Sequence, residues 1–214
     1  MSIIGPIGPT NPKPHIFSLR IPLVHESTEI RAATLRTLRH LTTTSEAAKA
    51  VTTLNIHYLI SRCLDIELDN KIERLQALKI CRNLALIQMG EFFPEILLRS
   101  LVSIAEEGKK EDDRFYRAAL ALLCEISVVN PLLFIDTGGV KVLTYCLLDT
   151  SMPKIAEAIL SSLLRMHNDP KLRLQANVNL GKNLIFLALP FLTARKRREW
   201  WLKVTFFVFV VPVD

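Results

Sequence analysis

The 214-residue sequence predicts an all-α fold, an armadillo- or HEAT-like helical-repeat solenoid of about four units. Three observations lead there. Four apolar segments recur at spacings of 43, 42 and 40 residues. Half of the residues are hydrophobic, yet only seven are glycine, which suits helices better than a sandwich that must turn at every strand end. The breaks between segments carry a capping side chain followed by proline, the punctuation of helix starts.

Residues 1–25 read as a flexible lead-in, because Met1 to Pro14 is rich in Pro and Gly and lacks the basic start and apolar run of a secretory signal. The repeat region is expected over 26–180. Its four aligned segments are ATLRTLRHL (33–41), QALKICRNL (76–84), AALALLCEI (118–126) and AILSSLLRM (158–166). One column reads Leu35, Leu78, Leu120, Leu160; a second Leu38, Cys81, Leu123, Leu163; a third Leu41, Leu84, Ile126, Met166. Columns at i, i+3 and i+6 keep one helix face apolar, a period no strand can use. The alternative is four unrelated amphipathic helices in a bundle, since Leu-rich helices align readily by chance.

Shorter apolar segments, Asn55 to Ile66, Phe92 to Ala105 and Val140 to Leu148, lie between the long ones and give two or three helices per unit. Asn130-Pro131 and Asp169-Pro170 each place a capping side chain before a proline whose missing N–H costs nothing in the first turn. Gly138-Gly139 supplies a tight helix-to-helix turn. Asn70 followed by Glu73 resembles a capping box.

After about residue 180 the pattern stops, and residues 181–214 form a divergent apolar and basic tail. Leu184 to Leu192 is almost wholly apolar, Arg195 to Arg198 is basic, and Trp200 to Val213 is apolar again. Pro190 and Pro212 interrupt these runs, and neither reaches the roughly 20 apolar residues of a membrane-crossing helix. A surface association of the tail with membrane, a nuclear signal in the basic run, aggregation through Phe206 to Val211, and a cap over the last repeat all stay open at this point.

The chemistry of the chain is sparse. The net charge is +6, but the basic residues are spread along the sequence beside acidic ones, which argues for solvated helix faces and against nucleic acid. Cys63, Cys81, Cys124 and Cys146 form no C-x-x-C pair and sit in apolar patterns, so they read as buried thiols of a reducing compartment rather than as zinc ligands or disulfides. No phosphate-binding glycine loop, H-E-x-x-H or G-x-S-x-G occurs. His40 and His57 could meet across a turn, and Glu106, Glu107, Glu111, Asp112 and Asp113 cluster in a loop; solvation explains both better than catalysis. No catalytic, cofactor-binding or metal-binding residue is expected, no cofactor is implied, and partner-binding residues stay unassigned. Arg31, Arg74, Arg114 and Arg117 stand near helix starts, where they could form a basic ladder for acidic peptide or pair with Glu29, Glu73 and Asp113.

Several phrases are more distinctive than a generic armadillo consensus: YLI-R-LD at Tyr58 to Asp65, ER-QAL at Glu73 to Leu78, DR-x-x-RA at Asp113 to Ala118, the NP at Asn130 and the GG at Gly138. They resemble the N-terminal helical-repeat region of the Rictor/Pianissimo family, the companion subunit that defines TOR complex 2, over roughly Glu26 to Leu180. The resemblance implies an armadillo-like fold without catalysis and a cytoplasmic scaffold that assembles the TOR kinase with the other complex-2 subunits. Such complexes phosphorylate kinases of the Akt and protein kinase C group and influence the actin cytoskeleton. Members of the family are far longer, so the chain reads as a partial or truncated form. The alternative is a generic armadillo adaptor binding peptide segments of another partner.

Overall fold

The computed structural model describes residues 11–68, 70–87, 93–107, 113–150 and 152–176; the side chains of Leu148 and Asp149 are not among them. All regular elements among these residues are helices: α1 (Lys13–Ser18), α2 (Arg20–Leu23), α3 (Thr28–Leu41), α4 (Ser45–Thr53), α5 (Ile56–Leu64), α6 (Lys71–Ile87), α7 (Glu95–Glu107), α8 (Arg114–Val129), α9 (Pro131–Asp136), α10 (Gly139–Asp149), α11 (Pro153–Asn168) and α12 (Pro170–Gln175). The chain divides into two compact units, Met1–Ser100 and Leu101–Asp214.

The four aligned segments are α3, α6, α8 and α11, and their columns are core. Leu35, Leu38, Leu78, Cys81, Leu84, Leu120, Leu123, Ile126, Leu160, Leu163 and Met166 are all buried. Leu41 is half-buried, because it is the last residue of α3, where the chain turns away.

Within the first unit α3 packs on α6, and α5 also packs on α6. Arg31 reaches Glu73 while Arg39 reaches Gln76 and its carbonyl accepts from Asn83, so α3 and α6 run in the same direction, about one repeat apart. Within the second unit α8 packs on α11, and α10 on α11. Here too the neighbours are one period away: the Cys146 thiol donates to the Ala105 carbonyl, 41 residues earlier. A single such unit cannot bury its apolar face alone, which is why successive repeats stack.

The helix punctuation follows the sequence closely. Asn130 caps α9 by accepting from the Leu133 N–H, and Asp169 caps α12 by accepting from Lys171 and Leu172. Gly138 holds φ 81°, which a side chain resists, and a Cβ on Gly139 would run into the buried Phe134 ring. The two glycines therefore do different work, one turning the chain and one admitting an aromatic ring.

Three features depart from the expectations. Within the 1–25 lead-in, residues 13–23 form α1 and α2, with Ile16 and Leu23 buried; Pro14 sits in the first turn of α1, where it is tolerated. The helix α4 was not anticipated. It is capped by Thr44, and its buried face is built from Ala47, Ala48, Ala50 and Val51, too small to stand out as an apolar stripe. The expected capping box is replaced by tertiary bonds: Asn70 Nδ2 donates to the Cys63 carbonyl, its Oδ1 accepts from Arg74, and Glu73 turns to Arg31. The tail 181–214 lies outside the described residues.

Candidate protein-binding surfaces

The most polar feature of the first unit is an ion pair between α3 and α6. Arg31 Nη2 lies 2.8 Å from Glu73 Oε1, and Arg31 Nε donates to Glu73 Oε2 at 3.1 Å. The Glu73 side chain is 3% exposed and the Arg31 side chain 20%. This two-pronged geometry is the strong form of a guanidinium–carboxylate contact. Arg31 Nη1 also donates to the carbonyls of His25 and Glu26, both at 2.6 Å, so one side chain ties the entry of α3 to α6. The carboxylate raises the Arg31 pKa further above its ordinary value, through the hydrogen bond foremost. Close by, Arg74 donates to the carbonyls of Asp65 and Leu68 and to Asn70, stitching the loop after α5 to α6.

These partners decide the reading of the arginine ladder. Arg31 and Arg74 are spent on internal bonds, Arg114 lies over the Phe115 ring at 4.8 Å, and Arg117 is exposed. A continuous basic edge does not form from these four. The histidines also part company: His40 is exposed with Nε2 3.0 Å from Arg39, whereas His57 is buried, with Nδ1 near the Val51 carbonyl and its ring against Tyr58.

A cavity of about 220 Å³ adjoins the ion pair, lined by Leu23, Leu59, Cys63 and Asn70 among others. The Cys63 thiol donates to Glu73 Oε2 at 3.6 Å. Burial, with the Glu73 charge second, pushes that thiol up to about 12. Burial likewise raises Cys81 to about 12 and Cys124 to about 11. Thiols held this far from the thiolate are poor nucleophiles, and all four cysteines are buried outside any disulfide. Among the described residues no three His, Cys, Asp or Glu side chains gather where they could hold a metal ion, and no helix is long and apolar enough to cross a membrane.

What the molecule does present is apolar surface. In the first unit Phe17, Ile21 and Val24 stand exposed at helical spacing along α1 and α2, Ile21 at 80%. In the second, Val128, Val129, Leu132 and Leu174 are exposed, and Val128 also lines an open groove of about 600 Å³. Sequence reasoning did not find these residues; an exposed leucine in a Leu-rich helix looks like a core leucine until the register is known. Surface of this kind is suited to other polypeptide rather than to small-molecule chemistry.

Fold and surface together define a class: an all-helical protein with successive repeats stacked within each unit. The particular family follows from comparison. The family described as "Rapamycin-insensitive companion of mTOR, N-term" matches residues 13–199. The mouse and human proteins named "Rapamycin-insensitive companion of mTOR" are each 36% identical over 171 residues, 79% of this chain and 10% of theirs. "Protein pianissimo A" of Dictyostelium discoideum is 34% identical over 68% of this chain and 12% of its own. "Target of rapamycin complex 2 subunit ste20" of Schizosaccharomyces pombe is 28% identical over 79% of this chain and 13% of its own. The chain belongs to the Rictor/Pianissimo family, in its N-terminal region, and spans about a tenth of the length of these curated relatives.

Proposed function

We propose that this chain acts as a non-catalytic scaffold segment of TOR complex 2, contributing protein contacts from its stacked helices to assembly with the TOR kinase and the other subunits. The observation that carries the proposal is family membership, since the fission yeast relative is itself named a subunit of that complex. The structure supports it in kind. Both units place large apolar side chains in solvent, and the polar side chains best buried, Glu73 and Arg74 among them, bond internally. The proposed setting is the cytoplasm, where buried thiols outside disulfides persist.

The test is affinity purification of the tagged chain from cells, with mass spectrometry of the proteins that accompany it. Recovery of the TOR kinase and other complex-2 subunits, lost when Ile21 and Phe17 are replaced by Asp or when Leu132 and Leu174 are, supports the proposal and says which unit makes the contact. Absence of these subunits, with a folded protein in hand, overturns assembly by this segment.

A further inference from the structure

The cavity beside the Arg31–Glu73 pair is built entirely from the first unit, and its walls divide by chemistry. Leu23, Leu59 and Leu68 supply an apolar side, while Asn70 and Glu73 supply a polar one. Its volume of about 220 Å³ falls below the roughly 300–1,000 Å³ of sites for metabolites and cofactors. One large side chain would fill it.

The polar wall keeps bonding capacity in reserve. Glu73 accepts from Arg31 Nε, Arg31 Nη2 and the Cys63 thiol, three of the about four bonds a carboxylate can take. Asn70 is buried; its Oδ1 accepts from Arg74, and one Nδ2 hydrogen goes to the Cys63 carbonyl. The second Nδ2 hydrogen has no acceptor among the described residues. An occupant that suits this wall must both donate and accept at its buried tip. Tryptophan and arginine only donate, phenylalanine and leucine do neither, and serine and threonine are too small to reach the leucines. The tyrosine hydroxyl does both, on a ring that fills the apolar side.

At the mouth Leu68 is 41% exposed, and Arg62 is exposed beside it. Arg31 is bound through all three of its guanidinium nitrogens. Arg62 has no ion-pair partner among the described residues, and its charge lies near enough to the Cys63 thiol to oppose the rise in that group's pKa. With Arg31 and Glu73 cancelling, the lining carries one positive charge, which a carboxylate at the mouth complements.

We infer that this cavity receives a tyrosine side chain from a partner polypeptide, with an acidic residue of the same segment meeting Arg62. Tyrosines seated in such pockets are among the side chains that dominate protein interfaces. The inference deepens the scaffold reading and rests on it only in that the chain binds protein; the partner need not belong to TOR complex 2.

The probe is the capped tripeptide acetyl-Glu-Tyr-Glu-amide, titrated to millimolar concentration into the full chain while NMR follows the Asn70 side-chain amide and the Leu59 and Leu68 methyls. Saturable shifts at all three are expected. A phenylalanine centre should bind at least about fivefold more weakly, because it leaves Asn70 and Glu73 unmet. Glutamine flanks should weaken binding about two- to fivefold, as befits an exposed ion pair. Leu68→Trp, which closes the mouth with its own ring, should abolish the shifts, and Arg62→Glu should reverse the flank preference in favour of acetyl-Lys-Tyr-Lys-amide. Both positions are exposed, and an unchanged helical circular dichroism spectrum checks that the fold is kept. No saturable shift, equal binding of the tyrosine and phenylalanine peptides, or shifts that survive Leu68→Trp would overturn the inference. Failure of the peptide while TOR complex 2 subunits are still recovered by affinity purification strikes this pocket and leaves the scaffold reading standing; the reverse result strikes assembly and upholds the pocket.

Discussion

In the first unit the aligned helices α3 and α6 are joined by charge and amide, through Arg31–Glu73, Arg39–Gln76 and Asn83 on the Arg39 carbonyl. In the second, α8 and α11 meet across an almost wholly apolar column of Leu120, Leu123, Ile126, Leu160, Leu163 and Met166. The repeat is the same and the chemistry differs. A buried ion pair adds little net stability once its desolvation is counted, but it penalises any arrangement that leaves one partner alone. An apolar column is strongly stabilising yet tolerates sliding, and the second unit fixes its register instead with caps and a glycine turn. The first unit is thus specified by pairing and the second by punctuation.

Removing one partner of the pair should give the largest effect. Glu73→Ala leaves Arg31 facing a vacated, buried site and should cost about 3–5 kcal/mol, toward the lower figure because Arg31 keeps the His25 and Glu26 carbonyls. Urea unfolding reads the loss. Replacing both partners together, Arg31→Met with Glu73→Leu, should recover most of it; a double variant as unstable as the single one would contradict the assignment of the pair to specificity.

Next comes the apolar column of the second unit. Leu123 is fully buried, and Leu123→Ala should cost about 2–5 kcal/mol by transfer and cavity together. A loss well under 1 kcal/mol would place this column at the surface and undo the repeat register. Gly139→Ala tests the punctuation more lightly. Its Cβ would meet the Phe134 ring, so α9 and α10 must separate, at about 1–3 kcal/mol in the same titration. A neutral result would mean that the ring moves aside freely and that the turn does not fix the register.

The four long helices were legible because three columns hold through four segments, and the caps at Asn130 and Asp169 because their chemistry is local. The helix α4 was not legible, since alanines carry little of the amphipathic signal even when fully buried. The partner of Arg31 was open among several acids, yet the repeat contained the answer: Glu73 lies 42 residues on, one repeat away. Applying the repeat spacing to charged residues as well as to leucines would have selected it. The surface was the least legible part, because what separates Leu174 from Leu172 is the packing of a six-residue helix and not any property of the residue.

The smallest expected effect is a pH dependence confined to the second unit. His167 lies near the end of α11, and its Nδ1 is shielded with no hydrogen-bond partner among the described residues. Burial, with the Arg173 charge second, lowers its pKa from the ordinary 6.5. A histidine whose pKa falls on folding is favoured neutral in the native state, so its contribution is fully present above about pH 6.5 and is lost as pH falls toward and through the folded value. The wild type should therefore lose stability on going from about pH 7.5 to 5, and His167→Gln should lose less over the same interval. Because the first unit's pair involves an arginine that stays charged throughout this range, the difference between wild type and His167→Gln should appear in the exchange of α11 and α12 and not in that of α3 and α6. Equal slopes for the two proteins would mean that water reaches His167 in the native state and that α12 is more loosely held than its packing against α9 and α11 implies.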